Sequence, residues 1–279
     1  MTSAQRAPLV AIAVLAGPVL VGGGYSLAAS LGLVGAGSSG FTVATWLELL
    51  RAGETWRSVG WTLLTAGAGT ALAFAAAVTV ARGAGGSLLA RQLALIPLAL
   101  PHVAGALAAL LLLGQSGFLS RAAHAVGWID GPAEFPAMVY DPAGIGLTLA
   151  FAWKEFPFLL LNAIAVLDSR DRTLEETARS LGADVSQTWR RVTRPLLWRG
   201  MAPAVIAVFA FLVGQYEMAV LLAPSDPLPL SMLTQERAVD PDLARRGAAH
   251  ALSLLALLLT MVLVVVHERV TASDAGGHA

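Results

Sequence analysis

Six apolar runs of membrane-spanning length divide the chain, at about residues 8–34, 59–81, 93–114, 144–167, 200–223 and 247–266. A helical crossing of the hydrocarbon core takes roughly 20 apolar residues, and each run meets that length. Lipid offers no partner to an open backbone, so such runs are helical. With 56% hydrophobic and 13% charged residues and a mean hydropathy of +0.70, a soluble domain has no way of hiding so much apolar surface. The expected fold is an all-α integral membrane protein of about six transmembrane helices forming one integral domain. The net charge of zero implies no acidic or nucleic-acid partner from bulk electrostatics. Cysteine is absent, which removes disulfides, thiolate catalysis and cysteine metal sites.

One long polar segment, 168–199, separates the fourth and fifth runs. It reads as helix, glycine turn, helix, proline. Thr173 stands three residues before Glu176, and Asp184 three before Gln187, both capping-box spacings that satisfy orphan N–H groups at a helix start. Leu174, Ala178 and Leu181 recur at helical spacing, as do Val185, Trp189 and Val192, so each half carries a narrow apolar stripe. Gly182 supplies the positive φ that ends the first helix. Two short helices over 173–192, broken at Gly182 and clear of the bilayer, are expected. The plain alternative is a capped amphipathic pair lying on the membrane surface.

The order Glu176, Thr177, Ala178, Gly182, Val192 and Pro195 resembles the EAA loop of type I ABC importer permeases. That loop carries Glu-Ala-Ala, a glycine after three residues, then Ile-x-Leu-Pro after nine. Thr177 replaces Ala, Val192 replaces Ile and Arg194 replaces Leu. Weaker landmarks are Trp61-Thr62-Leu63, similar to an Asn-Thr-Leu opening, and the Pro97/Pro101 stretch followed by Gly117. The resemblance covers about residues 58–266 and implies a permease core with the coupling loop at 168–199. A first crossing with an outer amphipathic segment precedes it at 1–57, and a polar tail follows at 267–279, frayed from Thr271. It makes Glu176, Ala178, Gly182, Val192 and Pro195 the ATPase-coupling residues. It further implies separate ABC ATPase subunits, a second permease chain in a homo- or heterodimer, and an extracytoplasmic solute-binding protein.

Arginine placement orients the chain. With both termini cytoplasmic, Arg6, Arg82, Arg91, Arg269 and the arginines from Arg170 to Arg199 lie inside. Residues 35–57 and 224–246 then face outward, their arginines diluted by Glu48, Glu54, Glu236, Asp240 and Asp242. The same choice puts the coupling loop where an ATPase would be, in the cytoplasm of a bacterial cell with the chain in its inner membrane. Ser26-Leu27-Ala28 resembles a small-x-small cleavage site, but the apolar run continues to Val34 and reads as an uncleaved anchor. The tryptophans near the run ends read as belt anchors in lipid.

Lys154 and Glu155 fall near the middle of the fourth run, where ionised groups are costly and face protein or water. Neighbours on a helix point about 100° apart, so at least one of them needs another partner. Glu217, with Gln215 and Tyr216 in the outer half of the fifth run, is the candidate. Lys154, Glu155, Asn162, Tyr216 and Glu217 either line a polar passage or form a buried ion-pair set that holds helices together. Pro157 frees a carbonyl and favours a wet environment. The histidines, His102 included, show no ligand spacing and read as satisfied or solvent-facing.

No nucleophile–base motif or metal-ligand cluster is present, so no catalytic, metal or cofactor site is expected. A nucleotide P-loop needs Gly-Lys, and the only lysine, Lys154, follows Trp153. ATP hydrolysis is therefore expected on a separate subunit, and the chain is read as the permease that couples it to alternating access for a small polar solute. By resemblance the solute is a polyamine, thiamine, ferric iron or an oxyanion. The alternative is a secondary transporter or channel using Lys154 and Glu155 for ion coupling, although no inverted repeat is visible.

Overall fold

The computed structural model describes residues 3–38, 40–84, 87–170 and 173–276, which form helices and their connecting turns, with no strand among them. The helices are α1 (Ser3–Ser30), α2 (Ala44–Arg51), α3 (Gly53–Ala84), α4 (Leu88–Ala99), α5 (His102–Leu113), α6 (Phe118–Ala125), α7 (Ile145–Ser169), α8 (Thr173–Ser180), α9 (Val185–Thr188), α10 (Arg194–Val213), α11 (Ala219–Leu222), α12 (Leu230–Ala238) and α13 (Gly247–Gly276). Five helical segments among the described residues have the length and apolarity of a crossing: Gly53–Gly83, His102–Ala125, Ile145–Ser169, Val185–Val213 and Leu243–Arg269. The first expected crossing corresponds to α1, which stops at Ser30 ahead of Gly32 at φ +74° and is not one of the five.

The third run, whose Pro97 and Pro101 call for a kinked or unwound inner half, is divided: α4 ends at Ala99, and Pro101 stands extended at ψ 149° before α5. A proline pushes the residue before it out of the helical region and withholds its own N–H, so Leu100-Pro101 breaks the helix. Two expectations need correction. The fifth run begins at Val185 and ends at Val213, and residues 214–218 carry no regular helix. The outer amphipathic segment is not one stretch: it is divided at the extended Ala52, so α2 stops at Arg51 and α3 begins at Gly53. Here local backbone breaks override an apolar pattern that reads as continuous. In the tail, α13 continues past Thr271 to Gly276, and residues 277–279 lie outside the described ones.

The chain divides into two compact units, residues 1–60 with 228–279, and residues 61–227. In the first, α13 packs on α1, α2 and α12 and buries Leu49, Leu230, Leu233 and Leu252. Arg237 Nη2 meets Glu54 Oε2 at 2.7 Å. In the second, α7 is the centre. It packs against α4, α5 and α10 and buries Leu147, Phe151, Leu159, Leu160, Ala163 and Ile164. At Gly69 of α3, a Cβ would lie 2.8 Å from the Phe151 Cβ, so the two backbones approach only because that residue is glycine. The entry to α7 is anchored by Trp61, whose Nε1 donates to the Pro142 carbonyl at 2.7 Å, and by Asp141, which accepts from the Ile145 N–H at 2.8 Å. These contacts hold α7 in register with the helices that flank its charged middle.

Candidate functional site

The polar segment folds as a helix, a glycine turn and a second helix, and the second is not short. The chain runs without a break from Val185 through a π-helical stretch, Trp189–Thr193, into α10. Pro195, the second residue of α10, comes just after the π stretch and does not end the helix. Gly182 has φ +90°, as expected, and a Cβ there would meet no atom within 4 Å; only the backbone conformation requires glycine. The Asp184 box is complete: its Oδ1 accepts from the Gln187 N–H at 2.8 Å while Gln187 Oε1 accepts from the Asp184 N–H at 3.1 Å. Thr173 is itself the first residue of α8, and the residues before it, 171 and 172, lie outside the described ones.

Of the expected coupling residues, Glu176 and Pro195 are exposed, Ala178 and Val192 are half-buried, and Gly182 sits at the turn. The stripes are uncovered where they meet it: Leu174 is 55% exposed, Leu181 83% and Val185 69%. Sequence reasoning missed Glu175. Arg170 at the end of α7 donates to it at 3.0 and 3.3 Å and also to the Leu167 carbonyl at 2.7 Å, while Thr193 in the π stretch donates to the same carboxylate. One carboxylate thus ties α7, α8 and the root of α10. Burial pushes the Glu175 carboxyl up, but the bonds from Thr193 and Arg170 and the charges of Arg170 and Arg179 outweigh it and hold the group below its ordinary 4.5. Arg82 stacks over the Trp189 ring at 4.8 Å and Arg91 pairs with Asp168 at 2.8 Å, adding ties from α3 and α4. Its extra residue per turn is what a π stretch contributes, and here it turns Thr193 toward Glu175.

The second candidate place is the middle of α7. Lys154 is 4% exposed and Glu155 8%. They line a cavity of about 290 Å³ with His102 and five apolar residues, Leu98, Phe158, Ala207, Val208 and Phe211. Glu155 Oε1 lies 3.5 Å from His102 Nε2, and the His102 ring stands 5.0 Å from that of Phe211. Lys154 follows its own course. Its stem lies along Gly105, 3.6 Å from where a Cβ would stand, and its ammonium has no hydrogen-bond or ion-pair partner among the described residues.

The expected partner Glu217 is not brought here. α10 closes at Gly214, whose N–H returns to the Phe211 carbonyl at 3.2 Å, so Gln215, Tyr216 and Glu217 leave the helix and Tyr216 and Glu217 are exposed. The Gln215 side chain accepts from the Glu217 N–H at 3.1 Å. Asn162 bonds within its own helix, to the Phe158 carbonyl at 2.9 Å. Of the five expected pathway residues, only Lys154 and Glu155 therefore meet, and His102 takes the place of Glu217. Its position next to the helix-breaking Pro101 was the available signal: the break aims the first turn of α5 inward. No group of three or more metal-ligating side chains occurs among the described residues.

The fold and these two places define a multi-spanning helical membrane protein with a helix–turn–helix loop joined to a crossing. A family model described as the binding-protein-dependent transport system inner membrane component matches residues 67–272, and the chain belongs to that family. A molybdenum transport system permease protein of Mycobacterium tuberculosis is 31% identical over 180 residues, a match covering 63% of this chain and 62% of the relative's length. An inner membrane ABC transporter permease protein of Escherichia coli is 33% identical over 171 residues, 60% of this chain and 31% of that one. A probable sulfate transport system permease protein of Chlorella vulgaris is 28% identical over 141 residues, 50% of this chain and 53% of that one. The fold is similar to that in the crystal structure of a bacterial ABC transporter involved in the import of the acidic polysaccharide alginate, with a TM-score of 0.71 and 16% identity over 97% of this chain and 94% of that one.

Proposed function

We propose that this chain is the permease subunit of an ATP-driven importer of a small oxyanion. A separate ATPase docks on the turn between α8 and α9. What supports the docking site is the exposed apolar trio Leu174, Leu181 and Val185 at the very point where Glu175, Arg170 and Thr193 tie the turn to two long helices. An apolar face presented on a rigidly tied turn passes a push to α7 and α10 instead of absorbing it. Glu176, Ala178, Gly182, Val192 and Pro195 belong to this coupling element.

The substrate class rests on what the named relatives carry: molybdenum in one, sulfate in another, and an acidic polysaccharide in the structural neighbour. Molybdenum moves in water as an oxyanion, so all three are anionic. The chain sits in a bacterial inner membrane with both termini and the 173–195 segment in the cytoplasm. A second permease chain and an extracytoplasmic binding protein complete the assembly.

The test is uptake by cells that lack their own sulfate and molybdate importers and express the chain with its neighbouring ATPase and binding protein. ATP-dependent accumulation of sulfate or molybdate is expected. Accumulation of only putrescine or thiamine would overturn the substrate class, and uptake independent of the ATPase would overturn the importer reading.

A further inference from the structure

Lys154 is the only lysine in a chain that uses arginine at every other basic position. Whatever bias makes arginine the default cation here was not followed at this residue, and two physical differences distinguish the side chains. Arginine is a flat fork that grips an oxyanion with two parallel hydrogen bonds, while lysine is a compact point charge on a flexible stem. A passage has to release what it binds, so the weaker, single-point grip suits transit and the fork suits retention.

The surroundings of Lys154 point the same way. It is 4% exposed, lies in the middle of α7, and makes no hydrogen bond or ion pair among the described residues, although its charge acts on the neighbouring Glu155. A cation placed so deep is costly unless something compensates it. The one acidic group lining the same cavity, Glu155, lies 3.5 Å from His102 on α5, so its carboxylate has a partner other than Lys154. The rest of the lining is apolar and offers no competing hydrogen bonds. A cavity holds a water in roughly 10–15 Å³ of such volume, so about 290 Å³ admits a tetrahedral oxyanion with part of its hydration shell.

We infer that Lys154 is a specificity-determining contact for the transported solute, a single ammonium that receives a tetrahedral oxyanion in the α5–α7–α10 cavity and releases it. This deepens the oxyanion reading above and rests on it. The His102–Glu155 pair keeps the carboxylate turned to α5 and away from the anion.

The experiment uses the intact importer with sulfate and molybdate as probes. Lys154→Met should reach the membrane and retain the ATPase at wild-type levels while uptake of both anions falls at least tenfold; Lys154→Arg should keep more uptake than Lys154→Met, because charge is retained. Wild-type uptake in Lys154→Met would overturn the inference and leave the substrate class standing, whereas wild-type protein that imports neither anion removes the substrate class itself. Should Lys154→Met be missing from the membrane, the sole lysine allows a second measurement on the unaltered importer. Modification of Lys154 by a small amine reagent, read by mass on this chain, should be slowed severalfold by millimolar sulfate or molybdate and left unchanged by equal chloride. Equal labelling in sulfate, molybdate and chloride would overturn the inference.

Discussion

The turn between α8 and α9 and the middle of α7 are both polar places in an apolar chain, and they are built in opposite ways. The turn is set by local chemistry: Asp184 and Gln187 cap each other three residues apart, and Gly182 takes φ +90° in open space. The α7 cavity is set by tertiary placement, with Glu155 reaching His102 across a helix break and Lys154 lying along Gly105. A surface element that must meet a partner is specified by its own residues, while a buried polar site is specified by which helix happens to face it. The two therefore break differently when altered.

The largest effect is expected at the exposed face of the turn. Leu181→Asp puts a charge on an apolar docking surface without touching the fold, since the side chain is exposed. Uptake should drop more than tenfold and the ATPase should fail to co-purify, with membrane abundance unchanged; wild-type co-purification would show that the turn is not the docking site. Next is Gly182→Val. A β-branched residue at positive φ costs about 1–2 kcal/mol, which tilts α8 against α9 and should lower ATP-driven uptake roughly tenfold while the protein still inserts. Full retention of uptake would mean the turn geometry does not matter.

Glu175→Gln should have a smaller effect. It removes the charge that Arg170 and Thr193 grip and should loosen coupling severalfold, seen as ATP hydrolysed per solute imported. Because the carboxyl is held below its ordinary 4.5, the lock is complete above the ordinary carboxylate range and is lost as pH falls through the depressed folded value. Coupling should accordingly show no Glu175 titration between pH 8 and pH 6 (an expectation from the shift's direction); an inflection there that vanishes in Glu175→Gln would contradict this. The smallest effect belongs to Asp184→Ala, which loses a cap worth about 1 kcal/mol. Amide exchange should quicken at the start of α9 and nowhere in α7.

The same contrast explains what was legible in the sequence. The helical membrane class and the Gly182 turn follow from run length, spacing and capping, which are local, and the family from the resemblance of the Glu176-to-Pro195 order to the EAA loop. The end of α10 at Gly214 was hidden inside an apolar run, whereas Pro97 and Pro101 marked the third run for a kink or unwinding; together the two breaks decide that His102, not Glu217, meets Glu155. Glu175 was overlooked beside Glu176 because neighbouring carboxylates look alike in a sequence. Only the π stretch, which turns Thr193 toward α8, tells them apart. The two short helices expected over 173–192 became one short helix and the root of a crossing, because the π stretch carries the chain past Pro195 without a break.

The central claim is that the uncovered turn is the contact through which ATP drives this permease, and the absence of cysteine makes it directly testable. Leu181→Cys introduces a single thiol at a position 83% exposed. In the intact importer, a short thiol cross-linker should join that residue to the ATPase subunit and to no other protein of the assembly, and the same thiol should react with an impermeant reagent only in inside-out vesicles. A cross-link to the extracytoplasmic binding protein, or labelling of Leu181→Cys in intact cells, would contradict the account.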